Sequence, residues 1–91
     1  MHLDIKGSFY RDWKEMSNRE LSKRLREKID KVESAAGISN ITHLKKLRKF
    51  SSRYRVEISV GKKIYWILCI VWENKIEFVR LKSETYFKRE L

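Results

Sequence analysis

The sequence predicts an α+β fold: a two-helix hairpin packed on an antiparallel β-sheet meander, with a short strand at the N-terminus. Three observations carry this expectation. From Arg53 to Val60, Tyr54, Val56, Ile58 and Val60 alternate with Arg53, Arg55, Glu57 and Ser59, a period of two that gives a strand one apolar and one polar face. From Ile64 to Trp72, nine consecutive apolar residues rich in Ile, Val, Trp and Tyr read as a central strand covered on both faces. Leu21, Leu25, Ile29, Val32 and Ala36 recur every three or four residues, the stripe of an amphipathic helix.

Taken in order, Leu3 to Lys6 alternates weakly and reads as the first strand. Ser8 offers a hydroxyl to cap a helix whose inner face carries Phe9, Trp13 and Met16. The run Ser17 to Glu20 (SNRE) fits a capping box that closes this helix and opens the next. The outer face of the second helix, Arg19, Lys23, Arg24, Arg26, Glu27, Lys28, Asp30 and Lys31, is mixed in sign and reads as a solvated surface with no assigned role. Gly37 stops that helix, and Ile38 to His43 is a linker. Leu44 to Phe50 fits either a helical turn or an extended lead-in to the meander.

Gly61-Lys62 and Asn74-Lys75 are the hairpin turns, and Ile76 to Leu81 is the third meander strand. Ser83 to Leu91 forms a short terminal helix capped by Ser83 and anchored by Tyr86, Phe87 and Leu91. The expected core is Phe9, Trp13, Leu21, Leu25, Ile29, Val32, Val56, Ile58, Trp66, Leu68, Ile70 and Phe78. The central strand is apolar on both sides, so Tyr65, Ile67, Cys69 and Val71 need a cover too, from the tail or a partner.

A chain of 91 residues accommodates one domain, 1–91. No apolar run approaches the roughly 18 residues of a membrane span, so no membrane partner is expected. The first residues lack the basic, apolar and cleavage regions of a leader. The single Cys69 lies in the central strand as a small apolar filler; together these features point to a reducing cytoplasm. Charge is the dominant global feature, with 22 Lys+Arg against 12 Asp+Glu and a net charge of +10. It is uneven: residues 1–42 hold 9 basic and 7 acidic residues, and residues 43–91 hold 13 and 5. Such an excess in the sheet half is the footprint of a polyanion binder, the alternatives being a solubilising surface or a dock for an acidic protein.

Enzyme signatures with metals or cofactors are missing. The chain has three glycines, none in a phosphate loop, and His2, His43 and Cys69 have no ligand spacing, so neither metal nor small-molecule cofactor is expected. His43 reads as a solvated linker residue rather than a base. One dense constellation remains: Lys45, Lys46, Arg48, Lys49, Arg53, Arg55, Lys62 and Lys63, against the single acid Glu57. Arg80 joins it or not according to register, and Lys82 and Tyr86 follow nearby. Cations can hold an RNA phosphate and neutralise a pentavalent phosphorane, and Tyr can stack on a base.

With SFYRDWKEM, then ISNITHLKKLRKFSSRYRVEI, then KIEFVRL in this order, the chain resembles the RelE/ParE superfamily of bacterial type II toxins, within it the RelE-like branch. The family commonly shows a helix-opening S-F-x-x-D, a basic linker, a Y-R-I/V strand and a late F-V-R-L-type strand. The resemblance implies a RelE-like, microbial-ribonuclease-like fold, an acidic antitoxin partner, and an activity on the ribosome and its mRNA. RelE-like members are ribosome-dependent mRNA endoribonucleases that need no metal, using the RNA 2′-OH as nucleophile; ParE-like members act on DNA gyrase. Carried over, Arg55, Lys63, Arg80 and Tyr86 are the catalytic candidates. Lys45, Lys46, Arg48, Lys49, Arg53, Lys62 and Lys82 are the RNA-binding candidates. Two departures stand at these positions: Lys62-Lys63 replaces the family's Y-R pair, and KSETY (Lys82 to Tyr86) lacks the family's His. Lys keeps charge but loses the planar fork of Arg. A non-catalytic or degenerate toxin-fold binding protein, or a ParE-like gyrase inhibitor, is the alternative.

Overall fold

The computed structural model describes residues 1–47 and 52–90. Its elements are β1 (His2–Ile5), α1 (Gly7–Met16), α2 (Arg19–Ser34), a 3₁₀ turn (Ile38–Asn40), β2 (Leu44–Lys46), β3 (Arg53–Val60), β4 (Lys63–Val71), β5 (Lys75–Ser83) and α3 (Glu84–Glu90). The architecture is α+β with one five-stranded sheet in the order β1-β5-β4-β3-β2. The sheet is mixed rather than antiparallel throughout, because β1 pairs parallel to β5 while β2 to β5 are antiparallel. Leu44 to Lys46 is extended, as one of its two readings required, and adds a strand beside β3. The expected helical turn through Phe50 extends beyond the described residues, as does the Leu91 anchor. Among the described residues no helix is long and apolar enough to cross a membrane.

The alternation in β3 does what it predicts: Val56 and Ile58 are buried against Phe9, Leu21, Leu25 and Val32 of the helices. β4 is turned over relative to the expected core. Register pairs Tyr65 with Ile58 and Ile67 with Val56, so Tyr65, Ile67 and Cys69 lie under the helices. Trp66, Leu68 and Ile70 occupy the opposite face. Leu68 and Ile70 are only half-buried there, whereas Trp66 is covered by Phe87 of α3, ring centroids 5.8 Å apart. The cover thus comes from the tail, but on the other side of the strand.

Local signals shift in three places. Ser8 does not cap α1; its hydroxyl donates to the Val79 carbonyl instead (2.6 Å). Asn18, not Ser17, caps α2, its side-chain oxygen accepting the Leu21 N–H (3.0 Å), while Ser17 takes the left-handed conformation between the helices. The second helix ends at Ser34, before Gly37, so Ala35 is buried and Ala36 is exposed. The tight β3–β4 turn does use Gly61, whose φ of 60° an L side chain adopts only with strain.

One irregularity decides which way β5 faces. Cys69 pairs with Phe78 but Leu68 pairs with Arg80, leaving Val79 as a bulge. Before it, Ile76 and Phe78 point into the core; after it, Leu81 does, and Arg80 and Lys82 turn to the open face. β1 covers the β5 edge only from Lys75 to Phe78. Beyond that point Lys6 and then α1 take over, with Lys6 N–H on the Phe78 carbonyl (3.0 Å), the Ser8 hydroxyl on the Val79 carbonyl, and the Asp12 carboxylate accepting the Leu81 N–H (2.9 Å).

The orientation of β4 sets an expectation for stability. Ile67→Ala should cost about 2–5 kcal/mol, the range for a deleted core aliphatic, and Leu68→Ala on the half-buried face should cost clearly less. Urea unfolding of the two variants against the parent checks the order.

Candidate functional site

The open face of the sheet is built in cross-strand rows. Lys45, Arg55, Leu68 and Arg80 stand opposite one another across β2, β3, β4 and β5. The next row holds Glu57, Trp66 and Lys82, and on the other side lies Arg53 opposite Ile70. Residues directly opposite share a face and approach within contact range. Five of the candidate cations, Lys45, Arg53, Arg55, Arg80 and Lys82, therefore surround a floor of Trp66, Leu68 and Ile70.

Trp66 organises the upper part of this face. The Arg55 guanidinium lies 4.0 Å from the centroid of its ring, close for a cation–π contact. Its indole N–H donates to the Glu84 carboxylate (3.2 Å), and Phe87 stacks against it, tying α3 to the sheet. Arg55 also pairs with Glu57 at 2.9 Å. Its head is fixed in orientation and partly neutralised.

Arg80 and Lys82 reach around the bare edge of β5 to Asp12. The Asp12 carboxylate accepts from Arg80 Nε (2.7 Å) and Nη2 (3.3 Å), and Lys82 Nζ lies at 3.4 Å. Asp12 is buried on α1, 4% exposed. Burial on its own raises its pKa, but the hydrogen bonds from Arg80 and the Leu81 amide, with the charges of Arg80 and Lys82, outweigh this and hold it below its ordinary value. The same carboxylate, and secondarily Tyr86, push Arg80 further toward its charged form. Tyr86, 41% exposed on α3, has the Lys82 ammonium 5.2 Å from its ring. Arg80, Lys82 and Tyr86 thus form one accessible group: two cations, held by a buried anion, beside a phenol.

The other candidates are placed elsewhere. Lys63 pairs with Val60 and shares the face of Tyr65, its ammonium 5.6 Å from that ring. The alternation of β4 puts it across the sheet from Arg55 and Arg80, so the expected catalytic quartet is not on one face. Lys46 pairs with Tyr54 and also lies on the helix side. Lys62 is exposed at the Gly61 turn, past the Ser59–Ile64 pair. Arg48 and Lys49 lie outside the described residues. Cys69 is fully buried, and burial raises its thiol pKa, which leaves it unreactive. Among the described residues no three His, Cys, Asp or Glu side chains converge as metal ligands would.

Residue-by-residue reading of the sequence missed Asp12 and Trp66 as site residues. Asp12 had a signal, the acid of the S-F-x-x-D run; the structure shows Ser8, Phe9 and Asp12 of that run anchoring α1 to Val79, the core and Leu81. Trp66 had none, since a Trp inside nine apolar residues reads as core. Comparison with profiles of known protein families, with curated proteins and with solved structures finds no match to this chain.

The depressed Asp12 pKa makes the stability of the fold depend on pH. Its stabilising contribution is present above the unfolded-state value of about 3.9 and is lost as pH falls through the lower folded-state value. Asp12→Asn keeps an oxygen for the Leu81 N–H but has no charge to titrate. The variant should be less stable at neutral pH, and the gap to the parent should narrow as pH falls below the unfolded-state value of about 3.9, as followed by urea unfolding across that range.

Proposed function

We propose that this protein is a RelE-like toxin of a type II toxin–antitoxin system that binds mRNA on the ribosome and cleaves it at the open face of the sheet. The observation that carries this reading is the grouping of Arg80, Lys82 and Tyr86 beside Arg55. Two cations and a phenol can perform metal-independent RNA cleavage. The RNA 2′-oxygen attacks the adjacent phosphorus and gives up its proton, the P–O5′ bond breaks, and the 5′-oxygen is protonated as it leaves. Arg80 and Lys82 stabilise the extra charge of the phosphorane, Tyr86 moves a proton, and Arg55 with Lys45 and Arg53 positions the flanking phosphates. An acidic antitoxin would neutralise the same cations, and its affinity should weaken with salt where these exposed pairs dominate.

Lys63 drops out of the catalytic set in this reading, since its face is the other one. That same placement, with Arg55 already paired to Glu57, favours a second reading in which the face binds without cleaving, as a degenerate toxin or a gyrase inhibitor of the ParE kind.

Inducible expression in bacteria with mapping of mRNA 5′ ends separates the two. The nuclease reading expects arrested translation and new 5′ ends, with Tyr86→Phe losing about 10²–10⁴-fold and Arg80→Ala about 10²–10³-fold in cleavage. Lys63→Ala should stay within about threefold of the parent, because a charge across the sheet makes no transition-state contact. Intact mRNA in cells arrested with a DNA-damage response would select the gyrase-type reading.

A further inference from the structure

The polar face of α2 is mixed in sign in the sequence, and the structure divides it. Arg24, Lys28 and Lys31, spaced i, i+4 and i+7, fall on one stripe. That stripe faces the outer edge of β3. β2 pairs with β3 only at Tyr54 to Val56, and among the described residues no strand pairs with this edge beyond Val56. The space beside it is a cleft of about 290 Å³ between these three cations and Thr42, His43 and Ser59.

Three cations, Arg24, Lys28 and Lys31, line the cleft against two carboxylates, Glu27 and Glu57. Lys28 is half-buried, and its oxygen partners are uncharged, Thr42 Oγ1 at 3.2 Å and the Thr42 carbonyl at 3.5 Å. Burial and, after it, the charge of Lys31 work against its proton, the signature of an ammonium short of anionic company. Of the two carboxylates at the rim, Glu57 is engaged by Arg55 at 2.9 Å. Arg24 contacts Glu20 at 3.3 Å in an exposed i, i+4 pair that holds it weakly. His43 sits at φ 62°, a conformation few non-glycine residues adopt, and its carbonyl accepts the Glu57 N–H. That turn brings Thr42 and His43 over the cleft opposite the lysines.

The cations of the helix line one side of the cleft, and Thr42, His43 and Ser59, whose N–H and O–H groups can donate, line the other. A tetrahedral oxyanion accepts from several directions at once, whereas a carboxylate accepts in one plane. We propose that this cleft is a phosphate-binding site, for the phosphate group of a nucleotide, a polyphosphate or a nucleic-acid backbone. The proposal does not depend on the activity assigned to the open face.

The test is titration of inorganic pyrophosphate into the isotope-labelled full chain at low ionic strength, followed by amide shifts. Saturable shifts are expected at Thr42, His43 and Ser59, with acetate at matched ionic strength leaving them unmoved. Lys28→Ala combined with Lys31→Ala should weaken binding at least about tenfold. Lys28→Arg keeps a charged donor and should stay within about threefold of the parent. A single-stranded oligonucleotide separates the sources. Shifts at the same amides, with a salt slope reduced by about 0.7 per lysine removed, assign a nucleic-acid backbone; response to pyrophosphate alone assigns a free phosphate compound. Pyrophosphate shifts confined to the open face, equal shifts with acetate, or an unchanged affinity in the double variant would overturn the proposal.

Discussion

The carboxylate of Asp12 ties α1 to β5 at once through the strand's backbone and through its cations. β1 is only four residues long, and among the described residues no strand lies beside the edge of β5 past Phe78. A bare edge with a bulge is a weak point, prone to fraying or to pairing with another chain. α1 closes it with side chains rather than backbone, and Asp12 supplies the acceptor for Leu81. Burying a carboxylate is costly unless its oxygens are satisfied. Here the Leu81 amide, the two guanidinium nitrogens of Arg80 and the Lys82 ammonium offset that cost. The geometry that closes the edge is thus also the geometry that fixes Arg80 and Lys82 on the opposite face.

Trp66 plays the corresponding role for the upper sheet. A strand covered on both sides needs apolar residues at every position, and β4 uses one parity for the helical core and the other for Arg55, Phe87 and the Leu68–Ile70 floor. The indole connects the tail to the sheet through Glu84 and Phe87 while carrying the Arg55 guanidinium on its face. A displacement of α3 would therefore expose Trp66, alter the setting of Arg55 and carry Tyr86 away from Lys82. The position of the tail and the setting of the open-face cations are thus linked through Trp66.

What could be read from the sequence was what depends on local periodicity. The alternation of Arg53 to Val60, the amphipathic stripe of Leu21, Leu25 and Val32, and the turn at Gly61 are all visible in a few consecutive residues, and all hold. The orientation of β4 was not readable, because Tyr65 and Trp66 are equally acceptable on either face until Ile58 and Val56 choose their partners. The bulge at Val79 was not readable either. Strict alternation from Ile76 would have sent Arg80 into the core, and only contact with α1, some seventy residues earlier in the chain, shows why it does not go there. Lys63 illustrates the converse: placed near Arg55 by the hairpin, it is separated from it by the thickness of the sheet. At the helix junction Ser17 and Asn18 are both competent caps, and the difference of one residue rests on which of them takes the left-handed turn.

Asp12 and Arg80 act as a unit across the edge of β5. A double-mutant cycle measures this directly, with Asp12→Ala, Arg80→Ala and the double variant compared by urea unfolding. Arg80 is 40% exposed in its side chain, so solvent screening tempers the pair. A coupling of about 1 kcal/mol or more is expected, the second substitution costing much less once the first is made. Additivity to within about 0.3–0.5 kcal/mol would contradict it, and would mean that the bulge and the cationic face are held by something other than this carboxylate.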